Sequence, residues 1–385
     1  MTSDQQFPEI RDAVAKLCAS FGDSYWRELD KSSSYPTEFV GALSDAGYLS
    51  VLIPEEYGGS GLPLGAACAV LEEIHRSGGN GGACHAQMYI MGTLLRHGSE
   101  AQKQQYLPAI ASGSVRLQAF GVTEPDSGTD TTRIRTTAIR EGDVYVVNGQ
   151  KVFISRTQHS DLMLLLVRTS AREDAGRATE GMSVLLVDMQ EAQGSGLTIK
   201  PIDTMMNHAT TELFFDNLVV PVSNRVGAEG DGFRCILDGM NAERILIAAE
   251  CIGDARWFTQ KSAAYASDRQ VFGRAIGANQ GIQFPIARAH IQTEAAALMV
   301  QQATTLFEAG EAAGAAANMA KLLASEAAWA AADTCIQTHG GYGFTTEYDI
   351  ERKFRETRLY QVAPVSTNLI LSHIATRELG LPKSF

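Results

Sequence analysis

The spacing of apolar residues changes twice along this chain of 385 residues, and each change restricts what the segment can become. Up to about residue 115 apolar side chains recur three and four apart, as in Val70, Leu71 and Ile74, then Met88, Met91, Leu94 and Leu95. That is the period of a helix face. Turns rich in Gly and Pro, such as 54–61, separate these runs. Between about 116 and 226 short β-rich runs take over, at 144–147, 162–167, 184–187 and 213–215. Asn148-Gly149 falls between two such runs, 145–147 and 151–153, and both residues tolerate positive φ, so the pair predicts a tight hairpin turn. From 227 onward helical spacing returns. Ile245, Ala248, Ala249, Ile252 and Ala255 form one stripe, and 315–332 is dense in alanine, which lets helices approach closely. Three domains are therefore expected: helical over 1–115, β over 116–226 and helical over 227–385.

Composition narrows the partners. A 45% hydrophobic chain of this length can bury a large core. The longest apolar stretches are strand-length, and the first thirty residues carry charges throughout with no secretory core. The expectation is a cytoplasmic protein without a membrane partner. A formal charge of −12 and the lack of any Lys/Arg run argue against nucleic acid. Cys18, Cys68, Cys84, Cys235, Cys251 and Cys335 lie far apart with no C-x-x-C, so buried reduced thiols are expected and no metal site.

Four motifs carry chemistry. Phe120-Gly121-Val122-Thr123-Glu124-Pro125-Asp126-Ser127-Gly128-Thr129-Asp130 is a hydroxyl-rich loop broken by Pro and Gly, able to bring backbone amides and short side chains close to a polar ring or a phosphate. Asn148-Gly149-Gln150-Lys151-Val152-Phe153-Ile154-Ser155 follows. Arg269-Gln270-Val271-Phe272-Gly273 with Asn279-Gln280 offers a forked cation, and Gln337-Thr338-His339-Gly340-Gly341-Tyr342-Gly343 offers glycines that admit close approach to backbone amides. Taken singly these have plainer readings: a surface loop, a core aromatic at Phe153, a packing histidine at His339.

In this order and at this spacing the motifs resemble the acyl-CoA dehydrogenase family over about 114–375. The resemblance implies a mainly α fold with a central β domain: an N-terminal helical domain, a middle β-barrel-like domain and a C-terminal four-helix bundle. It implies FAD as cofactor, an acyl-CoA substrate, an electron-transfer flavoprotein as acceptor, and a homo-oligomer, tetrameric in most members and at least dimeric because neighbouring subunits share the FAD site. Phe120, Val122, Thr123, Phe153 and Ser155 would meet the flavin ring. Arg269, Phe272, Asn279, Gln280, Gln337, Gly340 and Gly341 would hold the pyrophosphate and adenosine, with Ser366 and Asn368 completing the cofactor set. Thr129, Asn241, Arg244 and Ala363 would face the substrate.

The resemblance also isolates a departure. No Asp or Glu lies between Thr357 and Arg377, and Pro364 stands where most members carry the catalytic glutamate. The resemblance offers Glu243 as the candidate replacement, in Met240-Asn241-Ala242-Glu243-Arg244, where the isovaleryl-CoA and long-chain enzymes place their base. Proline has no N–H, so the backbone donor that the family uses at this position must come from a neighbour such as Val365. Ala363 replaces a bulky tyrosine, which opens room for a branched or bulky acyl group. The implied reaction is α,β-dehydrogenation to a trans-2-enoyl-CoA. Two other readings rest on the same residues: an oxidase, monooxygenase or carrier-bound substrate oxidiser, and a catalytically silent FAD or acyl-CoA binding protein.

Overall fold

The computed structural model describes residues 6–383. Helices α1 (Pro8–Cys18), α2 (Asp23–Ser32), α3 (Thr37–Asp45), α4 (Leu64–Arg76), α5 (Gly82–His97) and α6 (Glu100–Ala111) occupy the first part of the chain. The chain folds into two compact units, one built from the chain up to Ser32, Pro63–Gly81 and everything from Asn241 onward, the other from Ser33–Leu62 and Gly82–Met240.

In the second unit α3, α5 and α6 accompany a sheet. Its strands are β1 (Leu117–Gly121), β2 (Thr137–Glu141), β3 (Val144–Ser155), β4 (Leu162–Arg168), β5 (Met182–Asp188), β6 (Leu197–Pro201), β7 (Thr210–Pro221) and β8 (Arg225–Val226), with the short helix α7 (Met189–Ala192) after β5. The order is β6-β7-β3-β2-β4-β5-β8, with β1 parallel to β4. β4 is buried along its whole length and β5 along nearly all of it, which is why both read as continuous apolar runs rather than as alternation. β1 leaves the edge of β4 at Gly121↔Leu165, and β2 meets the same strand at Thr137↔Arg168. The hydroxyl-rich loop fills that gap.

Asn148-Gly149 is not a turn. β3 runs through it unbroken, and the hairpin between β2 and β3 turns instead at Gly142, whose φ is 64°. The pair marks a bulge: the register against β7 shifts between Val147 and Gly149, and Asn148 uses its side chain to bind Asn217 of β7 through Oδ1 at 2.9 Å and Nδ2 at 3.2 Å. Gly149 has φ 146°, and a Cβ there would lie 2.6 Å from the Cα of Thr136. Close backbone approach, not chain reversal, is what requires the glycine.

The first unit contains α1, α2, α4 and the long helices. α8 (Gly232–Asp268) enters it at Asn241; then come β9 (Gln270–Val271), β10 (Arg274–Ala275), α9 (Gln280–Glu308), α10 (Gly314–His339), α11 (Ile350–Leu359) and α12 (Thr367–His373). α9 and α10 pack along one another through buried alanines, among them Ala296, Ala297 and Ala303 on one side and Ala317, Ala320, Ala324 and Ala328 on the other. Buried charges tie the unit together. Arg11 binds Glu72 at 3.0 Å and Glu73 at 2.9 Å. Asp254 on α8 meets His75 of α4 at 2.9 Å and Lys353 of α11 at 2.5 Å, and Lys353 reaches Glu356 at 3.0 Å. All six cysteines are buried thiols outside any disulfide. Among the described residues no helix is long and apolar enough to cross a membrane, and no cluster of metal-ligating side chains occurs.

Candidate active site

Two sets of residues carry the candidate chemistry, one in each unit. In the unit with the sheet, the loop after β1 is strapped to β3 by a buried ion pair. Lys151 is fully buried, and its Nζ donates to the Val122 carbonyl at 3.0 Å and to Glu124 Oε1 at 2.9 Å. Glu124 also accepts from the backbone amides of Arg135 at 2.6 Å and Thr136 at 2.9 Å. Burial alone would raise its carboxyl, but the Lys151 charge and these hydrogen bonds bring it below the usual range. Val152 N–H binds the Thr123 carbonyl at 2.9 Å, so Val122 and Thr123 are held from both sides.

A second bulge on β3, between Lys151 and Ile154, places Phe153 at φ 59° and leaves its ring 65% exposed. A bulky residue at positive φ is strained by about 1–3 kcal/mol, and such strain collects where a side chain must be aimed. Ser155, two residues on, accepts at Oγ from Asn207 Nδ2 at 2.7 Å, which leaves its own O–H to donate. Phe120 packs edge-on against Tyr89 of α5, with centroids 5.7 Å apart. Thr129 is exposed at the loop tip.

In the other unit Glu243 is buried on α8, only 6% exposed, with Asn241 and Arg244 half-buried beside it. Arg244 is fixed by two amide oxygens, Asn241 Oδ1 at 2.6 Å and Asn318 Oδ1 of α10 at 2.7 Å. Burial lowers the Arg244 guanidinium from its ordinary value, and the Glu243 charge opposes that fall. One turn along α10 from Asn318, Lys321 is also fully buried and donates to the Val365 carbonyl at 2.7 Å. Pro364 and Ala363 precede that carbonyl, both half-buried. Ser366 caps α12, accepting from Leu369 N–H at 3.4 Å, and Asn368 faces outward. Tyr360, the aromatic residue closest in sequence to Ala363, is buried edge-on to His75 at 6.2 Å.

The Arg269 and glycine motifs meet at a cavity of about 520 Å³ lined by Tyr265, Arg269, Thr338, Gly340, Gly341 and Tyr342, among others. Its donor set suits a diphosphate. Arg269 is exposed and takes no carboxylate partner among the described residues, and nothing lies within 4 Å of where a Cβ of Gly340 or Gly341 would project. His339 lines the cavity but is committed to packing: it stacks on Tyr265 with centroids 4.2 Å apart, its Nδ1 lies 2.8 Å from the Cys335 carbonyl, and burial lowers its pKa. Phe272 is fully exposed at φ 52°. Gln280 and Gln337 are exposed, while Asn279 precedes α9 and binds Arg274 at 2.7 Å. Sequence reasoning missed Lys151, Lys321 and Asn318. The signal for Lys321 was a cation set in alanine-rich text, while Lys151 stood within the second motif without a role.

Three adjoining family models cover this arrangement: the acyl-CoA dehydrogenase N-terminal domain matches residues 4–114, the middle domain 119–218 and the C-terminal domain 230–379. The chain is 35% identical over 379 residues to acyl-CoA dehydrogenase FadE12 of Mycobacterium tuberculosis, an alignment covering 98% of this chain and 96% of that one. It is 34% identical over 364 residues to the cyclohex-1-ene-1-carbonyl-CoA dehydrogenase of Syntrophus aciditrophicus, covering 92% and 85%. The solved structure of the glutaryl-coenzyme A dehydrogenase glutaryl-CoA complex matches with a TM-score of 0.90 at 30% identity, over 99% of this chain and 96% of that one. The chain belongs to the acyl-CoA dehydrogenase family.

Proposed function

We propose that this protein is an FAD-dependent dehydrogenase that converts an acyl-CoA with a branched or otherwise bulky acyl group to the trans-2-enoyl-CoA, with Glu243 as the base. The observation that carries the reading is Glu243 itself: a buried carboxylate on α8 beside a doubly anchored arginine, in a chain whose terminal loop has no acid. FAD, when bound, accepts the hydride that leaves the β carbon. Everything else falls to the chain. Glu243 takes the α proton; Asn241 and Arg244 face the CoA side; Phe153 packs on the ring and Ser155 offers a hydroxyl donor to it. Arg269 and the Gly340-Gly341 amides receive the diphosphate.

An α proton beside a thioester is too weakly acidic for a carboxylate in water, so the base must be desolvated and the developing oxygen charge met by a donor. The burial of Glu243 supplies the first. Ala363 favours bulky substrates by its small volume, and Tyr360, the nearest aromatic in sequence, is buried edge-on to His75. The relative that acts on a cyclohexene carbonyl thioester supports the same direction. Self-association is part of the proposal. Phe284, Ile291 and Leu298 recur every seven residues on α9 and are 59%, 67% and 61% exposed, a stripe suited to a second copy. Reduced flavin would pass its electrons to an electron-transfer flavoprotein.

The test is anaerobic bleaching of the flavin by straight, branched and cyclic acyl-CoAs. Fastest reduction by branched or cyclic substrates is expected. Preference for a straight chain overturns the substrate class, and no bleaching by any thioester overturns the reaction.

A further inference from the structure

The terminal loop contains an amide that nothing in the chain claims. Val365 is buried, and its N–H donates to no group among the described residues. A buried amide left unpaired costs about 1–3 kcal/mol. Its carbonyl is held on the other side: Lys321 Nζ donates to it at 2.7 Å from a fully buried position on α10. Placing an ammonium there is itself costly, since burial pushes Lys321 down to about 8, with Arg244 adding to the fall and Cys251 and Glu243 opposing it. Two unfavourable features therefore converge on one residue, next to the proline that removed the family's backbone donor.

We propose that Lys321 is a positioning residue: by gripping the Val365 carbonyl it fixes the backbone so that the Val365 N–H supplies the hydrogen bond to the thioester oxygen that Pro364 does not. Lys321 does not touch the substrate. It works through Val365, much as Asn318, three residues earlier on the same helix, works through Arg244. A donor aimed at developing oxygen charge is effective only when it is fixed before the reaction, and a buried hydrogen bond to the neighbouring carbonyl provides that rigidity. The proposal rests on the acyl-CoA dehydrogenation reading above.

Three variants test it, with Glu243→Gln run beside them. Lys321→Met removes the grip, Lys321→Gln keeps an N–H donor without the charge, and Val365→Pro removes the amide directly. Measurements are FAD content, hydrogen exchange of residues 360–373, and the rate of flavin reduction at saturating acyl-CoA under nitrogen. Lys321→Met is expected to retain FAD, exchange faster across 360–373 and reduce its flavin about 10²-fold more slowly, the usual loss for one oxyanion donor. Lys321→Gln should stay close to wild type in both exchange and rate. Val365→Pro should retain FAD and lose a similar factor in rate. Unchanged exchange or rate in Lys321→Met, or a Lys321→Gln variant as impaired as Lys321→Met, overturns the grip. A Val365→Pro enzyme at the wild-type rate overturns the proposal even if Lys321→Met does not fold. A wild-type rate in Glu243→Gln instead removes the base assignment and leaves the Lys321 result to be read by itself.

Discussion

At the scale of single residues, the base assignment makes the sharpest prediction. Glu243→Gln keeps size and helix propensity while removing basicity, so fold, FAD content and acyl-CoA affinity should persist. Flavin reduction should fall by about 10²–10⁴-fold in stopped-flow measurements, the usual contribution of a positioned acid or base. A variant that reduces its flavin at the wild-type rate would make Glu243 a structural carboxylate. The sequence singled out this candidate because a missing acid in one segment directed attention to an acid in another. It did not make Lys321, Asn318 or Lys151 legible. Each is defined by a partner distant in sequence, Val365, Arg244 and Glu124 respectively, and spacing along one helix or strand does not encode such pairs.

At the scale of elements, the lesson is that Gly in a strand pattern has two meanings. Asn148-Gly149 carries the composition of a hairpin turn, yet β3 continues through it, because the real turn needs only Gly142 and the sheet needs a strand long enough to pair with all of β7. Gly149→Ala should therefore act as a packing and backbone lesion in a central strand. At φ 146°, with the added carbon 2.6 Å from Thr136, the cost should be about 1–3 kcal/mol or more, read as a lower denaturation midpoint. A midpoint equal to wild type would mean that β3 can shift its register there. A second prediction concerns the buried charges that join α4, α8 and α11. Burial would raise Asp254, but Lys353 and His75 overcome it and hold the carboxyl below its ordinary 3.8. A lowered carboxyl stabilises the fold fully above that ordinary value, and the contribution fades as the pH falls through the lowered one. Thermal melting should thus show an acid-side decline below about pH 4 that is shallower in Asp254→Asn, a variant already less stable at neutral pH. An equally steep decline in both would move the acid sensitivity to other carboxylates.

At the scale of the whole molecule, the order of motifs along the chain was readable and the grouping of helices was not. Helical spacing over 1–115 announces amphipathic helices but not which surface each one covers: α3, α5 and α6 belong to the unit with the sheet, and α1, α2 and α4 to the unit with the long helices. The exposed stripe of Phe284, Ile291 and Leu298 was equally hidden, since exposure is a property of the folded surface. Apolar side chains at that spacing on a long helix are costly to leave in water, and on the proposed reading the cavity around Arg269 serves the flavin of a neighbouring subunit. Cofactor retention and assembly should therefore be linked. Arg269→Ala should weaken FAD binding by on the order of 2–3 kcal/mol, the worth of a charge-assisted hydrogen bond. Replacing Ile291 with Glu should dissociate the assembly and release flavin together with it, read by sedimentation velocity followed at the flavin band. A yellow monomer that holds its FAD, in either the wild-type protein or the Ile291→Glu variant, would separate the two properties and show that each chain keeps its cofactor alone.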